Sequence, residues 1–264
     1  MRIRLKENAK PILRPLFELL IVAFTFNLAG CSLFSNTPTQ PALEWDTSPE
    51  AVIVEAARPI KQYQASLSPD LTRNYIPEGR LFGDGRVIWS IYAEDGSRTV
   101  FEGRLTHEQI LSFLQDFVDA GFFNWKEAYT SKLPYDNPPS DYLTVNLTSL
   151  SKTVRVTMAQ PPEGYTELFN RISSGAGAEG QPFIPQRGML ILEETQESPQ
   201  ATWDQEVYPL DLKQAAIGIP LEGEALSSAW EIVNRAPLAP PVVKIGEQAY
   251  RFFLLIPGLM YESQ

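Results

Sequence analysis

Ser149 and Lys152 stand three residues apart in Ser149-Leu150-Ser151-Lys152, the spacing at which one helical turn sets a lysine amine beside a nucleophilic serine. That chemistry needs a helix start, and here the four residues fall between two alternating apolar runs, where a hairpin turn is the simpler reading. His107 is the one histidine and the natural candidate for a general base. It occupies the first turn of an amphipathic segment with no orienting partner in sequence, which favours an exposed helix residue. Gly83, Gly85 and Gly103 lack the strand, glycine and helix order of a phosphate cradle, and Gly83-Asp84-Gly85 suits a tight turn between strands. One cysteine and one histidine cannot build a tetrahedral Cys/His zinc site, so no metal and no cofactor are expected. No intrachain disulfide can form.

One segment combines groups suited to recognition. Between a helix and a hairpin lie Trp125, Tyr129 and Tyr135, followed by Asp136 and Asp141 on a proline-rich loop. Aromatic side chains offer rigid apolar contact, and neighbouring carboxylates suit a basic partner, a cation or a glycan. These five residues are the candidate partner surface. In the alternative, the three aromatics fold back onto the core.

Hydrophobic residues at 44% and charged residues at 20% are ordinary globular usage, which excludes wholesale disorder and a multi-span membrane protein. The net charge is -10. Five of the 22 basic and two of the 32 acidic side chains lie in the first thirty residues, so without them the net charge is -13. Such an acidic surface repels phosphate backbones, and nucleic acid is excluded as a partner.

Those first thirty residues have the three parts of a secretory signal in order. Basic residues run from Arg2 to Arg14, an apolar run from Leu19 to Phe26 is too short to span a bilayer, and Leu28-Ala29-Gly30-Cys31 follows. The tetrad resembles the lipobox of bacterial lipoproteins, in which the cysteine thiol receives a diacylglyceryl group and the chain is cut before it. The resemblance implies a signal peptide over 1–30, lipid attachment at Cys31, and a mature chain held by acyl chains on the extracytoplasmic face of a membrane. Ser32 to Glu50, rich in Ser, Thr, Asn, Pro and Gln, reads as a solvated, flexible tether, giving a segment 31–50.

Beyond it the periodicity alternates between strands and helices. Thr106 to Gly121 has a capping box at Thr106 and Gln109, a stripe of Ile110, Leu111, Leu114, Phe117 and Val118, and a terminating glycine. A shorter helix with Tyr165, Leu168, Phe169 and Ile172 follows Pro161-Pro162. A third, about Gly223 to Arg235, carries Leu226, Ala229, Trp230 and Val233. Leu143 to Leu147 and Val154 to Met158 alternate as a hairpin, and Tyr250 to Ile256, apolar on both faces, reads as a central strand. The Gly-Ala-rich stretch from Gly175 to Pro185 separates two similar runs of elements. The expectation is an α+β fold of two small units of antiparallel strands, each with a packed helix, over 51–180 and 181–264.

Leu81-Phe82-Gly83-Asp84-Gly85-Arg86-Val87-Ile88-Trp89, Gly103-Arg104-Leu105-Thr106 with its helix, Ala120-Gly121-Phe122-Phe123 with Tyr129, and Tyr250-Arg251-Phe252-Phe253-Leu254 with Pro257 resemble a set of uncharacterised bacterial envelope lipoproteins. The likeness implies an address and an α+β fold, and no reaction. The expected function is a non-enzymatic, lipid-anchored module that binds another envelope protein or a ligand. An envelope hydrolase using carboxylate or serine chemistry and a structural component of an envelope complex are the two rival readings.

Overall fold

Alternation in the strands assigns each side chain to a face, and in the first sheet that rule supplies two cores at once. A computed structural model of the chain describes residues 41–58, 74–132, 139–235, 237 and 239–259. Leu81 and Val87 point to one side of the sheet and their neighbours Phe82 and Ile88 to the other, and all four are buried.

Eight strands form the first sheet: β1 (Val52–Ala57), β2 (Gly79–Phe82), β3 (Arg86–Tyr92), β4 (Arg98–Arg104), β5 (Ala128–Thr130), β6 (Ser140–Asn146), β7 (Ser151–Thr157) and β8 (Gln181–Pro182), in the order β5-β7-β6-β1-β2-β3-β4-β8. Helices α1 (His107–Asp119) and α2 (Tyr165–Ser173) contribute to the core on one face, where Val54, Leu81, Leu143 and Val145 meet Phe113, Phe117, Leu168 and Ile172. Helix α2 comes so close to β2 that a Cβ at Gly79 would lie 2.3 Å from the Ile172 carbonyl oxygen, a position only glycine can fill.

The second sheet holds β9 (Gly188–Thr195), β10 (Ala201–Trp203), β11 (Ile219–Leu221), β12 (Val242–Ile245) and β13 (Gln248–Leu255), ordered β10-β12-β13-β9-β11. The third helix, α3 (Gly223–Arg235), contacts both β13 and β4. Phe82, Ile88 and Val100 of the first sheet share the second core with Leu190, Leu192, Phe252 and Leu254 and with Leu226, Ala229 and Val233 of α3. All sheet neighbours run antiparallel except β5 with β7 and β10 with β12.

The α+β fold, the three helices and the hairpin of β6 and β7 match the sequence expectation, except that Thr157 is buried and Met158, past the end of β7, is exposed; β13 is the middle strand of its sheet. The Thr106 capping box is formed in both directions, and Gly121 adopts φ +74 after α1. The inward face of α1 is Ile110, Phe113, Leu114 and Phe117, so Phe113 takes the place expected for Leu111.

Two stretches lie at the expected boundaries near residues 50 and 180. Residues 41–50 belong to the folded body: Trp45 is 8% exposed, its Nε1 donates to the Gly83 carbonyl at 3.1 Å, and Thr148 N donates to the Glu44 carbonyl at 2.7 Å. One large indole in a polar stretch supplies enough burial to hold its neighbours down. The second concerns residue 181. Gln181–Pro182 pairs with β4 in the first sheet, and 41–264 forms one compact unit in which the two sheets share a core. The signal peptide and Cys31 lie outside the described residues, as do Tyr135 and Asp136.

Candidate functional site

The described members of the expected partner surface are held by the fold in separate ways. Trp125 is half-buried, edge-on to Phe122 at 5.4 Å and 6.2 Å from Tyr165. Tyr129 is half-buried on β5, and its hydroxyl accepts from Lys126 N at 3.2 Å. Both aromatics pack against the first core. Tyr129 and Asp141 are each register partners of Val156, so they occupy one row across β5, β7 and β6.

Asp141 is engaged by Arg58, which donates from Nε at 2.6 Å and from Nη2 at 2.9 Å, a bidentate fork that raises the arginine pKa. The Arg58 guanidinium also lies 5.1 Å from the Phe169 ring centroid. Its backbone N–H reaches Glu78 Oε2 at 2.6 Å and the Tyr75 hydroxyl at 2.5 Å, and that hydroxyl donates to Glu78 at 2.6 Å. Burial raises the pKa of Glu78, against the lowering effect of its Tyr75 and backbone hydrogen bonds, and pushes that of Tyr75 well up.

The other sequence candidates lie in local contacts of the fold. Lys152 Nζ donates to the Phe123 and Trp125 carbonyls at 2.9 and 2.6 Å, tying β7 to the short 3-10 turn Phe122–Asn124, while Ser149 sits in the hairpin turn. Burial lowers the lysine pKa. His107 is exposed, its ring 4.8 Å from that of Trp45. Asp84 caps its own turn, accepting from Arg86 N at 3.0 Å. Among the described residues no helix is long and apolar enough to cross a membrane, and no group of three His, Cys, Asp or Glu side chains could hold a metal ion.

Two of the clefts formed by the described residues bear on binding. The one between α1 and α2, about 450 Å³, is ringed by Asp116, Asp119, Glu163 and Glu167 around Arg171, which pairs with Asp116. Its charged rim has the character of a solvated helix face.

The other cleft, about 280 Å³, lies among β4, β8 and α3. Half-buried Phe183 and Trp230 form its aromatic wall, their rings 5.7 Å apart at 66°. Arg98 lines it while only 4% exposed. Its Nε donates to Asn234 Oδ1 at 2.6 Å and its Nη1 to the Asn74 carbonyl at 3.2 Å. Its Nη2 is buried with no acceptor among the described residues. Burial lowers the pKa of this guanidinium, against the raising effect of Tyr92, Tyr75 and Glu78. Asn74 in turn clamps β13, donating to the Phe252 carbonyl at 3.0 Å and accepting from Leu254 N at 2.9 Å.

Sequence reasoning missed Arg98. The signal was present in Arg98-Thr99-Val100, where Arg98 and Val100 are buried on one face of β4 and Thr99 is exposed between them. An arginine on the apolar phase of a strand is a buried charge in search of partners.

No protein-family model, curated protein or solved structure matches the chain.

Proposed function

We propose that this chain is a lipid-anchored binding module on the extracytoplasmic face of a membrane, acting without catalysis on an envelope protein or ligand. The address rests on the basic stretch, the short apolar run and the lipobox-like Leu28-Ala29-Gly30-Cys31, together with the likeness to uncharacterised envelope lipoproteins. The observation that supports binding most is the Arg98 cleft, which pairs an aromatic wall with a buried cation whose donors are incompletely used. Glu78, a carboxyl with a raised pKa, is engaged by Tyr75 and Arg58 and is not among the residues that line the Arg98 cleft. The cleft is preferred to the segment from Trp125 to Asp141, of whose described members Trp125 and Tyr129 pack, partly buried, against the core and Asp141 is paired with Arg58.

Mass spectrometry of the membrane fraction tests the address: the expected amino-terminal peptide starts at an acylated Cys31, and Cys31→Ala leaves the chain unprocessed. An intact Met1 terminus overturns it. A photo-crosslinking residue at Thr99, in the cleft, is expected to capture a discrete species in intact cells where one at exposed Glu194 on β9 does not. Equal capture from both positions argues against the cleft as the contact surface.

A further inference from the structure

Resting on the binding reading, the geometry points to a specific ligand class for the cleft among β4, β8 and α3: a carboxylate borne on an aromatic or apolar group. A guanidinium carries five N–H donors, and burying it is costly unless they are satisfied. Arg98 uses Nε and Nη1 on two uncharged oxygens, those of Asn234 and Asn74, and leaves Nη2 unpartnered. It has no carboxylate in ion-pair contact among the described residues, whereas Arg80, the other buried arginine, has Glu55 at 2.5 Å. Among the described residues Tyr92 and Glu78 act on this buried cation electrostatically, and no carboxylate makes an ion pair with it.

The rest of the lining adds no net charge. Glu231, the acid at the rim, is matched by Arg235 one helical turn away, so the cleft as a whole has one positive charge in excess. The size and walls narrow the ligand further. A volume of about 280 Å³ is near the lower limit for small-molecule pockets and accepts one ring-sized group, which Phe183 and Trp230 can flank. Two N–H bonds on one nitrogen suit a carboxylate. A phosphate, with three oxygens to satisfy, would need more donors than the cleft offers.

A free acid and the carboxyl terminus of a peptide share this chemistry. The test is calorimetric titration of the full-length chain in detergent with 3-phenylpropionate and with acetyl-Gly-Gly-Phe, each compared with its own primary amide. At least one acid is expected to bind saturably and its amide about tenfold more weakly or worse, a factor of the size that loss of one charged contact produces. Tight binding of the peptide alone identifies a chain terminus as the source; equal or tighter binding of 3-phenylpropionate identifies a small free acid.

Asn234→Asp supplies Arg98 with an internal counter-ion in an isosteric side chain and is expected to reduce acid affinity about tenfold or more. Thr99→Trp fills the mouth from an exposed strand position and is expected to abolish binding. Absence of saturable binding by both acids, equal binding of acid and amide, or an affinity unchanged in folded Asn234→Asp overturns the inference. Should either variant fail to fold, the acid and amide comparison on the wild-type chain decides alone. Acid binding by a chain that lacks an acylated Cys31 would defeat the address and leave this inference standing; an anchored chain that binds neither acid would do the reverse.

Discussion

Arg98 Nε donates to Asn234 Oδ1 at 2.6 Å, a buried bond that spans 136 positions and fastens β4 of the first sheet to the last turns of α3. Asn234 is itself oriented by its Nδ2, which donates to the Trp230 carbonyl at 2.8 Å. Replacing Asn234 by Ala leaves a guanidinium donor buried without an acceptor. The expected loss is about 1–3 kcal/mol, read as a lower urea midpoint with unchanged slope. A midpoint equal to wild type would show that water takes over the role of the carboxamide.

Trp45 ties the amino-terminal end of the body to the β2–β3 turn. Trp45→Ala is expected to cost about 3 kcal/mol, through lost burial and an orphaned Gly83 carbonyl. Limited proteolysis is expected to leave a resistant core that begins near Pro41. A core beginning at Ala51 with unchanged stability would return residues 41–50 to the tether.

Glu78 links stability to pH in a defined direction. Burial places its folded-state pKa above the ordinary 4.5, so the folded chain holds the proton more tightly than the unfolded chain. The resulting stabilisation is fully present below the unfolded value and is lost as pH rises through the raised folded value. Glu78→Gln keeps an oxygen for Tyr75 and the Arg58 N–H but cannot ionise. Its melting temperature relative to wild type is expected to rise between about pH 4 and about pH 8. A constant difference across that range would mean that the carboxyl is not perturbed.

Lys152 serves structure, since its ammonium group closes on two carbonyls of the turn after α1. Lys152→Met, which retains the apolar stem, is expected to cost about 1 kcal/mol, at the low end for charged hydrogen bonds because solvent reaches the site. A loss too small to measure by chemical denaturation would leave that turn without need of the lysine.

The cap of α1 is a local feature with a local cost. Thr106→Ala removes the oxygen that accepts from Gln109 N at 3.2 Å, and about 1 kcal/mol is expected to be lost in thermal denaturation. Thr106→Ser is expected to retain most of it.

These positions divide by how far apart in the chain their partners lie. The capping box at Thr106, Gly121 after α1, the Gly83-Asp84-Gly85 turn and the Leu143 to Met158 hairpin were legible because each depends on residues within a few positions, or on a period that one segment displays by itself. The doubly apolar Tyr250 to Ile256 run announced a central strand for the same reason.

By itself, then, the sequence determined the α+β class, three helices and the faces of the strands, because backbone sterics and hydrophobic period act locally. Only the tertiary structure decided that β5 lies parallel to β7, that Trp45 plugs the β2–β3 turn, that Asp141 meets Arg58, and that Arg98 donates to Asn234 and Asn74 with no carboxylate in ion-pair contact among the described residues. Alternation states which face a residue takes but not which strand or helix covers that face. Those pairings join residues 27, 38, 83 and 136 positions apart at their widest, set by how two sheets and three helices close over shared cores.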